Sequence, residues 1–171
     1  MNILREIKAR PGNEKTIIFS QFTSMLDLLH FFLRNEDIEF VRLDGKMDMA
    51  RRKDSLDALR NDPSVTVILV SLRAGGTGLN LTEANNVIMF DLWWNPAVEE
   101  QAFGRAHRMG QKKTVHIYKL VTLNTVERRI LELQNQKRKL ANDTLDRNEI
   151  ENMKKLSRDQ ALNLLNYHRR I

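Results

Sequence analysis

No cysteine occurs in the 171 residues, so disulfides and a cysteine-ligated zinc site are excluded, and a reducing compartment is the natural setting. Histidine is scarce too: His30, His107, His116 and His168 never fall at H-x-x-x-H spacing, and no metal-ligand set is read from them. No apolar run approaches the length of a membrane span, and the opening MNILREIKAR has no signal-peptide core. The expectation is a soluble, intracellular protein with no membrane partner. Three prolines and seven glycines are too few for a low-complexity chain.

What is present suits a globular domain with a proper core, at 42% hydrophobic residues. Lys and Arg exceed Asp and Glu by 28 to 22, a net charge of +6. That balance is compatible with a polyanionic partner and does not require one.

Short β-branched runs alternate with segments of helical period. KTIIFS (15–20), EFVRL (39–43), VTVILVS (65–71), NVIMFD (86–91) and VHIYKLV (115–121) read as strands. Several are almost continuously apolar, as when both faces of a parallel sheet are covered. Phe22, Met25, Leu26, Leu29, Phe32 and Leu33 form a helical stripe, and Asp48 caps a helix to about Arg60 with Met49, Leu56 and Leu59 inward. Asn95-Pro96 starts another helix. The alternation predicts an α/β fold with a mostly parallel sheet. Asn124 and Glu127, then Ser157 and Gln160, stand at capping-box spacing ahead of a long helix and a short one.

Three stretches could carry chemistry. In VSLRAGGTGLNL (70–81) a buried strand runs into Gly75, Gly76 and Gly78. Glycines there let backbone N–H groups approach a phosphate, and Ser71 and Arg73 suit phosphate oxygens; a tight strand-to-loop turn uses the same residues. DLWWNP (91–96) sets Trp93 and Trp94 past a strand end, where an indole either stacks on a base or packs under the next helix. In EEQAFGRAHRMGQKK (99–113), Gln101, Arg105 and Arg108 stand at i, i+4 and i+7, one face of a helix ending at Gly110. Two guanidiniums a turn apart clamp a polyphosphate, or else pair with Glu99 and Glu100 on a solvated face. No complete phosphate loop is present: GNEKT lacks the G-x-x-x-x-G-K-[ST] pattern, and Asp91 ends its strand without one.

Taken in order, KTIIFSQF, VRLDG, VSLRAGGTGLNLTEANNVIMFDLWWNP and QAFGRAHRMGQ resemble the second-lobe motifs of the Swi/Snf family, over about residues 15–141. These are DNA-dependent ATPases and translocases of helicase superfamily 2. VERRILELQNQKRKLANDTL and LSRDQALNLL are most similar to the branch of RING-containing translocases and transcription-termination factors.

The resemblance implies a RecA-like three-layer lobe with a C-terminal helical extension. Residues 1–14 lead in from the first lobe, 15–123 form the second lobe, 124–141 a brace-like helix, and 142–171 an extension with a short helix. From the residues themselves, 142–171 read as a solvated, partly ordered tail, with docking through Leu162, Leu165 and Tyr167 as the other reading. The first lobe's phosphate loop and Asp-Glu-x-His motif are missing, so ATP with Mg2+ would be held mainly by a first lobe of a longer chain.

By the same resemblance Arg105 and Arg108 reach the triphosphate, Arg108 as the finger on the γ-phosphate, with Gln101 orienting the site. Gly76 and Gly78 belong to the nucleotide side. Ser20, Gln21, Arg42, Asp44 and Gly45 line the DNA side, and Ser71, Arg73, Ala74, Gly75 and Gly76 link DNA contacts to the cleft. Trp94, with Asn95, approaches the minor groove. The implied partners are double-stranded DNA or nucleosomes in the nucleus and a first lobe of the same full-length chain, and the isolated lobe is expected to be a monomer. The isolated lobe is expected to hydrolyse no ATP. A non-catalytic DNA-binding or protein-interaction module is the alternative.

Overall fold

The computed structural model describes residues 1–75, 78–143 and 156–165. They build five parallel strands with flanking helices. β1 (Thr16–Ser20), β2 (Glu39–Leu43), β3 (Val65–Ser71), β4 (Asn86–Met89) and β5 (His116–Lys119) lie in the order β2-β3-β1-β4-β5. The apolar runs explain who sits inside: β1 and β4 are buried along their whole length and β3 nearly so, whereas β2 and β5 close the edges. β2 and β3 have the expected bounds. β4 stops at Met89 because the chain bends once Phe90 N has bonded Phe19 O (2.9 Å), turning Asp91 back over the strand ends.

The chain starts mid-sheet, runs out to β2, returns to β3, then crosses to β4 and β5. Connections after β1 and after β4 therefore leave in opposite directions. A sheet opens a ligand crevice at the carboxyl ends of such strands, and KTIIFSQF, VRLDG and VSLRAGG run into that edge.

The residues fall into two compact units, Met1–Asp91 with Gln101–Lys119, and Leu92–Glu100 with the described part of Leu120–Ile171. In the first, α1 (Asn2–Lys8) buries Leu4 and Ile7, and its Arg5 pairs with Glu36 at 2.6 Å. α2 (Thr23–Asn35) packs on β1, β2 and β3 through Leu26, Leu29 and Leu33. Each such burial is worth about 2 kcal/mol. Phe22 and Phe32, expected inward, are exposed, so the buried stripe is narrower than the apolar pattern.

α3 (Met49–Asn61) is capped as expected, Asp48 Oδ1 accepting from Arg51 N at 2.8 Å. Leu59 is buried, but Met49, at the helix's first position, is 80% exposed and not inward. Its C-terminus is closed by the buried Lys15, whose Nζ donates to Leu59 O and to Asp62 O at 2.8 Å. Burial pushes the Lys15 ammonium below the usual lysine range.

The second unit is helical. α6 (Val126–Asp143) does not use the expected box at Asn124, which takes φ 59°. Thr125 Oγ1 accepts from Glu127 N at 3.3 Å, while the Glu127 carboxylate accepts from Thr122 N at 2.6 Å, two residues before the Asn124 that the sequence spacing suggests. α7 (Arg158–Leu164) has the expected Ser157–Gln160 capping box, and Arg129 Nη1 donates to Leu164 O at 3.0 Å. Leu162 is half-buried and Leu165 exposed; Tyr167 lies outside the described residues. No helix of the described residues is long and apolar enough to cross a membrane.

Candidate functional site

The carboxyl ends of β1, β3 and β4 gather the first set of residues. Ser20 is opposite Ser71 in the β1–β3 register. The buried Ser20 hydroxyl donates to Asp91 Oδ2, and its oxygen accepts from Phe22 N at 3.1 Å. Gln21 N donates to Asp91 Oδ1 at 2.9 Å. Both Asp91 oxygens thus hold the Ser20–Gln21 turn, a pairing across 70 residues with no signature in residue spacing.

α4 (Leu72–Gly75) continues from β3. Ser71 Oγ accepts from Ala74 N at 3.3 Å, so its hydroxyl oxygen caps this one-turn helix. Ser71 and Ala74 are buried, while Arg73 points its charge at solvent. Gly78 takes φ +55°, the left-handed region a glycine enters without strain, and has open space where a side chain would stand. Gly76 lies outside the described residues.

The end of β2 and the first residues of the loop to α3 hold the VRLDG residues. Arg42 is flanked by two carboxylates, Asp27 and Asp44; its Nε lies 3.0 Å from Asp44 Oδ2, an ion pair whose angle misses hydrogen-bond geometry. Asp44 Oδ1 also accepts from Lys46 N at 2.9 Å. Arg52 donates to Met47 O at 3.2 Å and to Asp44 O at 3.1 Å, clamping the loop from the first turns of α3. Gly45 is exposed, with nothing near it.

α5 (Pro96–Phe103) starts at Asn95, whose Oδ1 accepts from Ala97 N at 3.1 Å. It does not run on to Gly110. After Phe103 the chain makes tight turns, Arg105 N bonding Ala102 O and Ala106 N bonding Phe103 O, both at 3.0 Å. Gln101, Arg105 and Arg108 therefore do not form one helical stripe. What bends the segment is its anchoring: Leu81 N donates to Arg105 O at 3.0 Å, and the Gln111 amide donates to Thr82 O and Ala84 O at 3.0 Å and Ala106 O at 3.3 Å. Gly110, at φ +103°, permits the last turn. Gln101 and Arg108 are exposed and Arg105 half-buried. The Arg108 guanidinium has no hydrogen-bond or ion-pair partner among the described residues.

The remaining named residues belong to the second unit. Trp93 and Trp94 are both half-buried, centroids 6.0 Å apart. Glu99 is fully buried and accepts from Trp93 N at 2.9 Å and from Gln134 Nε2 at 2.7 Å; that amide also donates to Trp93 O. Lys137 Nζ sits 4.4 Å from the Trp94 ring centroid, and burial lowers its pKa. Glu100 pairs with Arg138 at 3.2 Å. Gln134 and Lys137 carry no sequence signal beyond being polar residues one and four positions after Leu133, which is buried on α6.

Residues 1–110 match the family model described as "Helicase conserved C-terminal domain". The chain is 48% identical over 135 residues to the ATP-dependent helicase rhp16 of Schizosaccharomyces pombe, covering 79% of this chain and 16% of that protein. It is 44% identical over 150 residues to DNA repair protein RAD5B of Arabidopsis thaliana, covering 88% and 12%. A putative SWI/SNF-related regulator of chromatin, subfamily A member 3-like 1, also of Arabidopsis thaliana, is 39% identical over 168 residues, covering 96% and 19%. The chain thus spans less than a fifth of these relatives. Among solved structures, the C-terminal part of the Fun30 ATPase domain superposes with TM-score 0.73 at 39% identity, covering 78% of this chain and 44% of that one. The fold is a RecA-like α/β lobe.

Proposed function

Because the chain belongs to the helicase conserved C-terminal domain family, with Swi/Snf-type relatives, we propose that it is the second ATPase lobe of a nuclear, DNA-dependent translocase acting on double-stranded DNA in chromatin or other protein–DNA complexes. The observation that carries this reading is the pinned segment at 104–111. Its backbone is fixed by Leu81 and Gln111, yet Arg108 is exposed and has no partner among the described residues. A guanidinium held out on a braced turn is preorganised for an anion supplied by another body.

ATP with Mg2+, held mainly by the first lobe, supplies the anhydride whose cleavage drives the cycle. Arg108 stabilises charge developing on the γ-phosphate, Arg105 binds beside it, and Gln101 orients the same site. Gly78, and Gly76 in its sequence neighbourhood, leave room for phosphate oxygens. On the DNA side Arg73 is the available charge of its set. Ser20, Ser71 and Ala74 shape the turns that present Gln21, Arg73 and Gly75. At the end of β2, Arg42 and the buried Asp44 hold the turn that presents the exposed Gly45 to the DNA strand, and Trp94, set by the Asn95 cap of α5, meets the minor groove. The segments proposed are a lead-in at 1–14, the lobe at 15–123, a brace at 124–141 and an extension at 142–171, with this chain by itself a monomer.

The test is ATP hydrolysis by the isolated chain and by the two-lobe protein, with and without duplex DNA. The reading requires no turnover from the chain alone and strong DNA stimulation of the two-lobe protein. Turnover by the pure isolated chain, or DNA-independent turnover by the whole, contradicts it.

A further inference from the structure

A lysine that is only 4% exposed is unusual, because an ammonium loses its hydration when buried. Lys137 lies on α6 three residues after Gln134, so the two share a helix face. Both reach the same target, the Trp93–Trp94 segment that precedes α5. Gln134 holds its backbone, donating to Trp93 O, while Glu99 fixes Trp93 N. Lys137 holds a side chain: its Nζ is 4.4 Å from the Trp94 ring centroid, within cation–π range. Trp94 is left half-buried, so the ring is gripped on the protein side and keeps surface for a ligand.

We propose that Lys137 is a positioning residue for Trp94, fixing the indole by a cation–π contact so that its free surface meets duplex DNA. This rests on the DNA-facing reading of Trp94 given above. The physical logic is entropic. An indole free to change rotamer must be ordered when it binds, whereas one clamped by a buried cation has that ordering already in place. The stem of the lysine also fills space beside the ring, so charge and packing act on the same side chain.

The chain has two tryptophans, and Trp93→Phe leaves Trp94 as the sole fluorescent reporter. In that background Lys137→Met, which keeps the stem and removes the cation, is expected to shift Trp94 emission and raise its quenching by acrylamide. Lys137→Arg, which restores a cation, is expected to return both toward wild type. In the full-length protein Lys137→Met should weaken binding of a defined DNA duplex roughly three- to tenfold. It should have no further effect when Trp94 is already alanine, a non-additivity that general loss of stability would not produce.

Unchanged Trp94 emission and quenching in Lys137→Met overturns the contact itself. Changed emission with duplex binding unaffected by Trp94→Ala overturns instead the DNA-facing reading on which the inference stands, and reduces Lys137 to a packing group. Equal weakening by Lys137→Met with and without Trp94 overturns the positioning role.

Discussion

The Ser20 hydroxyl donates to the Asp91 carboxylate across the carboxyl ends of β1 and β4, while Gln21 N takes the carboxylate's other oxygen. An acidic residue at a strand end, which by position could serve a metal, is here a brace for the turn next to it. Asp91→Ala leaves a buried hydroxyl and a backbone N–H without their acceptor. Urea unfolding of the chain should show a loss on the order of 3 kcal/mol. Ser20→Ala removes one of the two bonds to Asp91 and the acceptor of Phe22 N, keeps the Gln21 bond, and should cost about 2 kcal/mol. A loss for Asp91→Ala within the roughly 0.5 kcal/mol of an ordinary surface change would contradict this role.

Gln111 closes the segment that carries both arginines. Its amide donates to three carbonyls, those of Thr82, Ala84 and Ala106. Gln111→Glu replaces that donor with a carboxylate facing the same carbonyls and should be worse than Gln111→Ala. We expect stability losses of about 1 kcal/mol for alanine and 2 or more for glutamate. In the two-lobe protein, ATP turnover should follow the same order. Glutamate tolerated as well as alanine would argue that the amide is not the anchor.

At the opposite end of the sheet Glu14 is held below the ordinary glutamate range, chiefly by the hydrogen bond from Asn86, with Asn85 and Arg10 adding to it against the opposing effect of burial. Its folded-state pKa is depressed, so the carboxylate contributes stability that is fully present above the unfolded value of about 4.3 and is lost as pH falls through the folded one. Comparing wild type with Glu14→Gln by urea unfolding between neutral and acid pH checks this. The advantage of wild type should be greatest near neutrality and shrink on acidification. An advantage that grows in acid would have the wrong sign.

Much of this architecture was legible because burial on both faces writes itself as uninterrupted apolar sequence. β2 and β3 have their expected ends, and Asp48 caps α3 as its spacing suggests. α1 was not foreseen, since Leu4 and Ile7 alone are too short a pattern to mark a helix. The helix before Arg105 ends sooner than its spacing predicts, for a different reason. Residue spacing permits a stripe from Gln101 to Arg108, but Leu81 and Gln111 pull the chain into turns through contacts far apart in sequence. Glu99 has the spacing of a surface partner for arginine and is instead buried against Gln134. Polar groups spent on tertiary hydrogen bonds leave no periodic signature.

The central claim rests on Arg108, exposed on a turn whose backbone is pinned. The most direct measurement is DNA-stimulated ATP hydrolysis by the intact two-lobe protein, wild type against Arg108→Ala, with duplex binding measured in parallel. The account predicts that turnover falls by roughly a thousandfold or more, as when an arginine finger is removed, while duplex binding is retained. Turnover within a few-fold of wild type would contradict it and leave Arg108 a solvated surface charge.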